Sequence, residues 1–290
     1  MAHAENSYYI PHGSHWPIVG SVAVFTLLVG FANFLNGVSW GSPAMIAGFA
    51  MLLFMLFGWF GTVVKESERG MYNPQVGLSF RWGMFWFIFS EVMFFAAFFG
   101  ALFYARAYSL PWLSGEGSGV VTNQFLYEGF EGSWPQEANG PGNIGGDYKA
   151  MGAWGLPALN TAILLTSGVT LTWAHHALRA GHRMQLIIGL FLTVLLGAIF
   201  MYFQAVEYKE AYEHLGLTLG SGIYGSTFFM LTGFHGFHVT IGAIILAVIL
   251  VRCLLGHFTS DNHFGFEAAA WYWHFVDVVW LGLFIFVYIL

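Results

Sequence analysis

The stretch FWFIFSEVMFFAAFFG, residues 85–100, contains a single ionisable side chain, Glu91, between apolar and mostly aromatic neighbours. An ionised carboxylate there would cost several kcal/mol or more, so Glu91 must be neutral, paired or wetted. It can serve as one member of a proton relay, or as a protonated acid making one hydrogen bond between helices. In GFHGFHV, His235 and His238 are three residues apart and share a helix face, a spacing able to hold a metal or haem. The other reading is packing, in which Gly233 and Gly236 let helices approach and each imidazole donates to a carbonyl. His175 and His176 in TWAHHAL fall at the end of an apolar run, where imidazoles complement a helix C-terminus. In EAAAWYWHFVDVVWL, Glu267 precedes His274 and Asp277, an i, i+3 pair suited to proton transfer or to a hydrogen-bonded clasp on a neighbouring helix or subunit. With Glu207, these residues invite comparison with membrane di-iron enzymes. Such enzymes need several histidine boxes, and this chain offers HxxH once and HH once.

The elements carrying these residues must be membrane helices. The chain has 290 residues, 57% of them hydrophobic and only 8% charged, too few charges to cover a water-facing surface. The net charge of −6 says little about partners, because the placement of so few charges matters more. Cys253 is the single cysteine, so no intrachain disulfide forms. No phosphate-binding glycine loop and no nucleic-acid motif is present, and residues 1–17 lack the features of a cleaved signal peptide. Seven apolar segments are long enough to cross a bilayer: Trp16–Leu35, Met45–Val64, Trp82–Tyr104, Leu156–Ala177, Met184–Val206, Tyr224–Leu255 and Phe266–Leu290. They are apolar throughout rather than alternating, which excludes barrel strands. The sixth exceeds one crossing and should tilt or project.

Lys65, Arg69, Arg81, Arg179, Arg183 and Arg252 fall at ends that alternate crossings bring to one side, and Arg106, Lys149 and Lys209 at the other. The basic side is therefore inside, with the N-terminus inside and the C-terminus outside. The outer side carries Glu116, Glu128, Glu131, Glu137, Asp147, Glu210 and Glu213. We expect a two-helix unit at 1–66, a polar inner loop at 67–80, and a five-helix bundle at 81–290 with a long outer loop at 105–155. A loop of that length is expected to be partly structured or bound to another chain.

The runs SEVMFFAAFFGALFYA, LPALNTAILLTSGVTLTWAHHAL, YGSTFFMLTGFHGFHVTIG and HFTSDNHFGFEAAAWYWHFVDVVWL closely resemble cytochrome c oxidase subunit III. The resemblance runs from Trp16 to the C-terminus, excluding Leu113–Met151. It implies an all-α integral membrane protein with seven transmembrane helices, the first two splayed from the other five around a cleft that holds structural phospholipids. It implies a non-catalytic subunit of a proton-pumping oxidase, in direct contact with subunit I and assembled with subunit II and others. Such a subunit sustains proton uptake and protects the catalytic site from inactivation during turnover. Haem and copper belong to the partner subunits; this chain is expected to bind phospholipid and no metal. Carried over by motif, the lipid-binding positions are Trp59, Phe87, Glu91, His238 and Arg252, with Glu91 the acid that reacts with hydrophobic carbodiimides in the family.

Two departures bear on the headgroup. The family commonly places Arg-Asp at the end of helix two, where this chain reads WFGT, Trp59 to Thr62, and often a histidine where Tyr72 stands. Lys65, Arg81 or Arg252 then substitutes for the missing charge, and Lys65, Tyr72 and Arg81 are the candidate headgroup contacts. The outer loop is longer than usual, which suggests an additional subunit contact and favours a bacterial plasma membrane over a mitochondrial inner membrane. The alternatives are subunit III of a quinol oxidase, against which the first two crossings argue, and a free-standing membrane metalloprotein or transporter. The expectation for Glu91 is a neutral side chain at a lipid-filled or wet crevice, without a catalytic role.

Overall fold

A computed structural model describes residues 13–135 and 146–290. Glu137, one of the outer acids, and most of the stretch read for a signal peptide lie outside the described residues. Among the described residues the regular structure is helical. The helices are α1 (Trp16–Leu35), α2 (Gly41–Glu68), α3 (Pro74–Tyr104), two short ones, α4 (Leu110–Leu113) and α5 (Val120–Leu126), then α6 (Leu156–Arg179), α7 (Arg183–Glu213), α8 (Gly222–Leu254) and α9 (Phe264–Leu283).

Among these residues, six helices are long and apolar enough to cross a membrane: α1, α2, α3 with its continuation, α7, α8, and α9 with its final turn. The fourth expected crossing, α6, is also a helix but falls short in apolarity. It spends Thr161, Ser167 and Thr170 on hydrogen bonds within the bundle, where hydroxyls are satisfied without lipid. Several helices overrun their expected ends. Thus α3 continues past Tyr104 through a wide π-type turn, Ala105–Ser109, into α4, so the first part of the expected outer loop is helical. At 31 residues, α7 is about 46 Å long, more than a hydrocarbon core requires.

The chain forms two compact units, Met1–Phe80 and Arg81–Leu290. In the first, α1 and α2 are a glycine-seamed hairpin. A Cβ at Gly30 would land on the backbone of Ala44–Met45, one at Gly41 on Asn33–Phe34, and one at Gly48 on Leu27. Small residues let the two backbones approach, the means by which helices associate where lipid offers no hydrophobic drive. Trp16 locks the open end, its Nε1 donating to Thr62 Oγ1 at 3.2 Å and its ring meeting Phe54.

In the second unit α9 is the central helix: 56% of its membrane window is buried, against 33% for α7 and α8. Its two buried tryptophans set its register. Trp273 Nε1 donates to Ser167 Oγ and Trp280 Nε1 to Thr161 Oγ1, both at 2.9 Å, so each indole is satisfied as burial requires. The Trp273 ring lies where Gly197 and Gly242 leave room, a Cβ at either falling within 3 Å of it. Thr170 and Thr193 join α6 to α7 at 2.8 Å, and Tyr208 and Thr232 join α7 to α8 at 2.8 Å. The outer segment is anchored where Lys149 N–H donates to Leu215 C=O at 2.9 Å and Tyr148 stacks on Tyr224.

Candidate functional site

Glu91 sits on α3 and His238 on α8, and the fold brings them together: Glu91 Oε2 lies 2.9 Å from His238 Nε2. The other ring nitrogen, Nδ1, is 2.7 Å from the Phe234 carbonyl and must be its donor, because a carbonyl only accepts. Nε2 and the carboxyl therefore share one proton. Whether the carboxyl O–H donates to the ring or the imidazolium donates to the carboxylate, the pair carries no net charge. Glu91 resolves its cost by pairing, and both side chains are largely covered, 10% exposed for His238 and 21% for Glu91.

Aromatic rings enclose the pair. His238 lies 5.0 Å from the Phe95 ring and stacks on Tyr272, while Phe94 packs edge-on against Phe234 at 5.0 Å. Phe87, one turn before Glu91, stacks on Tyr272 at 6.2 Å and stays 46% exposed, so it extends this aromatic surface outward. Tyr272 is the residue that sequence reasoning missed. It sits in the WYWH run, and only the fold reveals that it faces both His238 and Phe87, with its hydroxyl directed at the His238 carbonyl at 3.4 Å.

The other expected positions separate from this cluster. Arg252 is 14 residues beyond His238 on α8, about 21 Å along the axis and close to four full turns, hence on nearly the same helix face at its inner end. Its guanidinium lies 4.3 Å over the Phe258 ring. Arg81 gives both Nε and Nη2 to Glu267, at 3.1 and 2.8 Å from Oε2, so its charge is directed to that carboxylate. The Tyr72 hydroxyl donates to Glu66 Oε2 at 2.7 Å. Lys65 is exposed in the last turn of α2 and Trp59 is 44% exposed on the same helix. Arg183, grouped above only with the inner charges, donates to the Cys253 and Phe258 carbonyls and so closes the inner end of α8.

His235 points away from Glu91: its Nε2 is 3.1 Å from the Val276 carbonyl on α9, and it is buried. Each imidazole of the HxxH pair thus has a carbonyl partner, as the packing reading requires. His175 packs against Phe266 and His263 at the inner end of α6. Among the described residues, no three His, Cys, Asp or Glu side chains converge in a way that could hold a metal ion. A further acid, Glu207, is fully buried and accepts from the Tyr288 hydroxyl at 2.5 Å. It lies one residue past the expected crossing, on the part of α7 that overruns it.

A family model described as cytochrome c oxidase subunit III matches residues 6–114 and 141–290. The internal unmatched stretch, 115–140, falls in the long outer segment. Among curated proteins, cytochrome c oxidase subunit 3 of Danio rerio is 42% identical over 289 residues, covering 99% of this chain and 98% of the relative. The protein of that name from Prototheca wickerhamii is 42% identical over 285 residues, covering 98% and 97%.

Proposed function

The chain belongs to the cytochrome c oxidase subunit III family, and we propose that it serves as a non-catalytic subunit of a respiratory oxidase, holding phospholipid and steadying the subunit that does the chemistry. The observation that carries this reading is the Glu91–His238 bond. The acid and the imidazole best suited to proton or metal chemistry are given to each other and to a backbone carbonyl. Their bond holds α3 to α8 across aromatic rings that touch by side chains alone.

In this reading α6 is the seventh crossing, its polar groups satisfied by neighbouring helices. Phospholipid lies along the second unit, its phosphate near Arg252 and its chains beside Phe87 and the covered Glu91–His238 pair. One cation near an anionic headgroup contributes about 1 kcal/mol. Trp59 and Lys65 supply comparable apolar and cationic contacts on the first unit. Subunit I is the direct partner, with subunit II and others in the same complex, and haem and copper reside in those partners. The extended outer loop favours a bacterial plasma membrane over a mitochondrial inner membrane, with the N-terminus inside. The test is to purify the tagged chain gently and measure oxygen consumption with reduced cytochrome c and with quinol. Activity with reduced cytochrome c supports the proposal. Exclusive quinol activity reassigns the complex, and a chain that purifies without oxidase activity refutes the role. Arg252→Ala is expected to lower the retained phospholipid and shorten the active lifetime during turnover; unchanged lipid content and lifetime would remove Arg252 from the site.

A further inference from the structure

Toward the outer end of the second unit, four elements bring buried polar groups to one level. Gln204 and Glu207 share the buried face of α7, one turn apart, and Asn160 lies on the buried face of α6. Thr193 faces Thr170 and Gly189 faces Ala174, an antiparallel register that brings Asn160 level with Gln204. Tyr208 meets Thr232, and the Thr240 hydroxyl meets the Met201 sulfur, so His235 of α8 comes to the same level. Trp280 of α9 stands among them. Its Nε1 bonds Thr161, the residue after Asn160, and its ring lies 4.8 Å from Phe200, 5.1 Å from His235 and 5.9 Å from Tyr288. Tyr288, in the last turn of the chain, gives its hydroxyl to Glu207 Oε1.

Six buried atoms of this layer have no hydrogen-bond partner among the described residues: both polar atoms of the Asn160 amide, both of the Gln204 amide, Glu207 Oε2 and His235 Nδ1. Gln204 stands near Glu207 and Tyr288 yet bonds neither. The His235 Nε2 proton goes to the Val276 carbonyl, so Nδ1 presents a lone pair. Buried polar groups are costly to leave bare, and this set selects what can satisfy it. The two amide nitrogens need acceptors. The two amide oxygens and the ring nitrogen need donors, and Glu207 Oε2 takes either according to its protonation. A metal cation would serve the oxygens and leave the amide N–H groups bare, and an acyl chain would serve none. Water both donates and accepts, and one buried molecule makes about three such bonds. Depth permits it. Gln204 lies about 32 Å along α7 from its start, and Asn160 about 6 Å from the start of the antiparallel α6, so the layer borders the edge of a hydrocarbon core ~30 Å thick.

We propose that this layer is an internal water-binding site, in which ordered water joins α6, α7 and α8 through Asn160, Gln204, Glu207 and His235. The inference stands apart from the oxidase reading, because it concerns groups inside one chain. It is tested by an electron cryomicroscopy map of the intact membrane assembly purified through this chain, at a resolution that shows water, beside a second map of the Gln204→Met variant. Methionine keeps the length of the side chain and removes both amide atoms. The unmodified map is expected to show at least one water peak within about 3.2 Å of two or more of the six atoms. The peak bonded to Gln204 is expected to be lost in Gln204→Met. If that variant does not accumulate, the unmodified map decides alone. Asn160 and Gln204 bonded to each other or to backbone carbonyls, with no peak between them, would overturn the site. A peak with four or more oxygen contacts near 2.4 Å would also overturn it, in favour of a cation. So would a peak left in place by Gln204→Met.

Discussion

Two acid–histidine pairs share one helical unit, and they differ in how closely acid and imidazole meet. Glu91 and His238 meet at 2.9 Å, the ring's other nitrogen has a carbonyl, and phenylalanine and tyrosine rings cover them. His274 and Asp277 stand 3.6 Å apart, the imidazole half-exposed and one carboxyl oxygen buried without a hydrogen bond. The first pair is a hydrogen bond between two helices, and the second is a loose contact within one helix. The same two residue types therefore clasp α3 to α8 at one place and stand side by side on α9 at the other. What separates them is whether a second helix supplies the imidazole's acid.

The second pair sits on α9 and the first packs against its Tyr272, so the largest effect should come from breaking the register of α9. In Gly242→Leu the new side chain strikes the Trp273 ring, and overpacking at so confined a site is expected to cost about 3 kcal/mol. Accumulation of the chain in membranes, followed by immunoblot, should fall sharply; normal accumulation would show that Trp273 does not fix α9. The next effect separates the pairs. Glu91→Leu leaves His238 Nε2 buried without a partner, which should destabilise the chain by about 1–3 kcal/mol and raise its loss from the complex in mild detergent. Glu91→Gln keeps a donor for the ring and should preserve assembly and most oxidase activity. Near-total loss of electron transfer in an assembled Glu91→Gln complex would make Glu91 a relay rather than a clasp.

A smaller effect concerns reagent access. Because Glu91 is engaged and mostly covered, a hydrophobic carbodiimide should label it several-fold faster in His238→Leu than in the unmodified chain. Equal labelling would mean that the pair is open in the membrane. The smallest effect belongs to Arg81→Ala. Its bond to Glu267 links α3 to the first turn of α9 with the arginine 44% exposed, and such pairs contribute about 0–1 kcal/mol. A thermal melt of the complex should shift little, and a collapse of stability would reveal a headgroup or partner bound there.

Much of this was legible in the sequence, for reasons that particular residues make plain. The apolar runs that became α1, α2, α3, α7, α8 and α9 announced themselves because lipid leaves few alternatives to helix. The run that became α6 was legible as helix, yet its threonines and serines dilute the apolar signal, and only the fold shows them bonded to Thr193 and to the α9 tryptophans. Helix ends were the weakest reading. The outer loop was expected from residue 105, whereas a π-type turn carries the helix to Leu113, with proline tolerated in the first turn of α4. The site divided the same way. Glu91 was conspicuous as a lone acid among phenylalanines, but its partner lies 147 positions away, a distance no local pattern encodes. Tyr272 was hidden in an aromatic run, and Glu207 lay just beyond an apolar stretch. The His235 acceptor, a backbone carbonyl of α9, has no signature in residue types at all.

The central claim is that the buried acids and histidines of this chain hold helices and neighbours together and gather no electrons. Its most direct test is to purify the oxidase through this chain, record the haem spectrum, then dissociate the chain and assay it for haem and copper. We predict haem in the complex and neither cofactor above trace level on the separated chain. Stoichiometric haem or copper retained by the separated chain would contradict the claim.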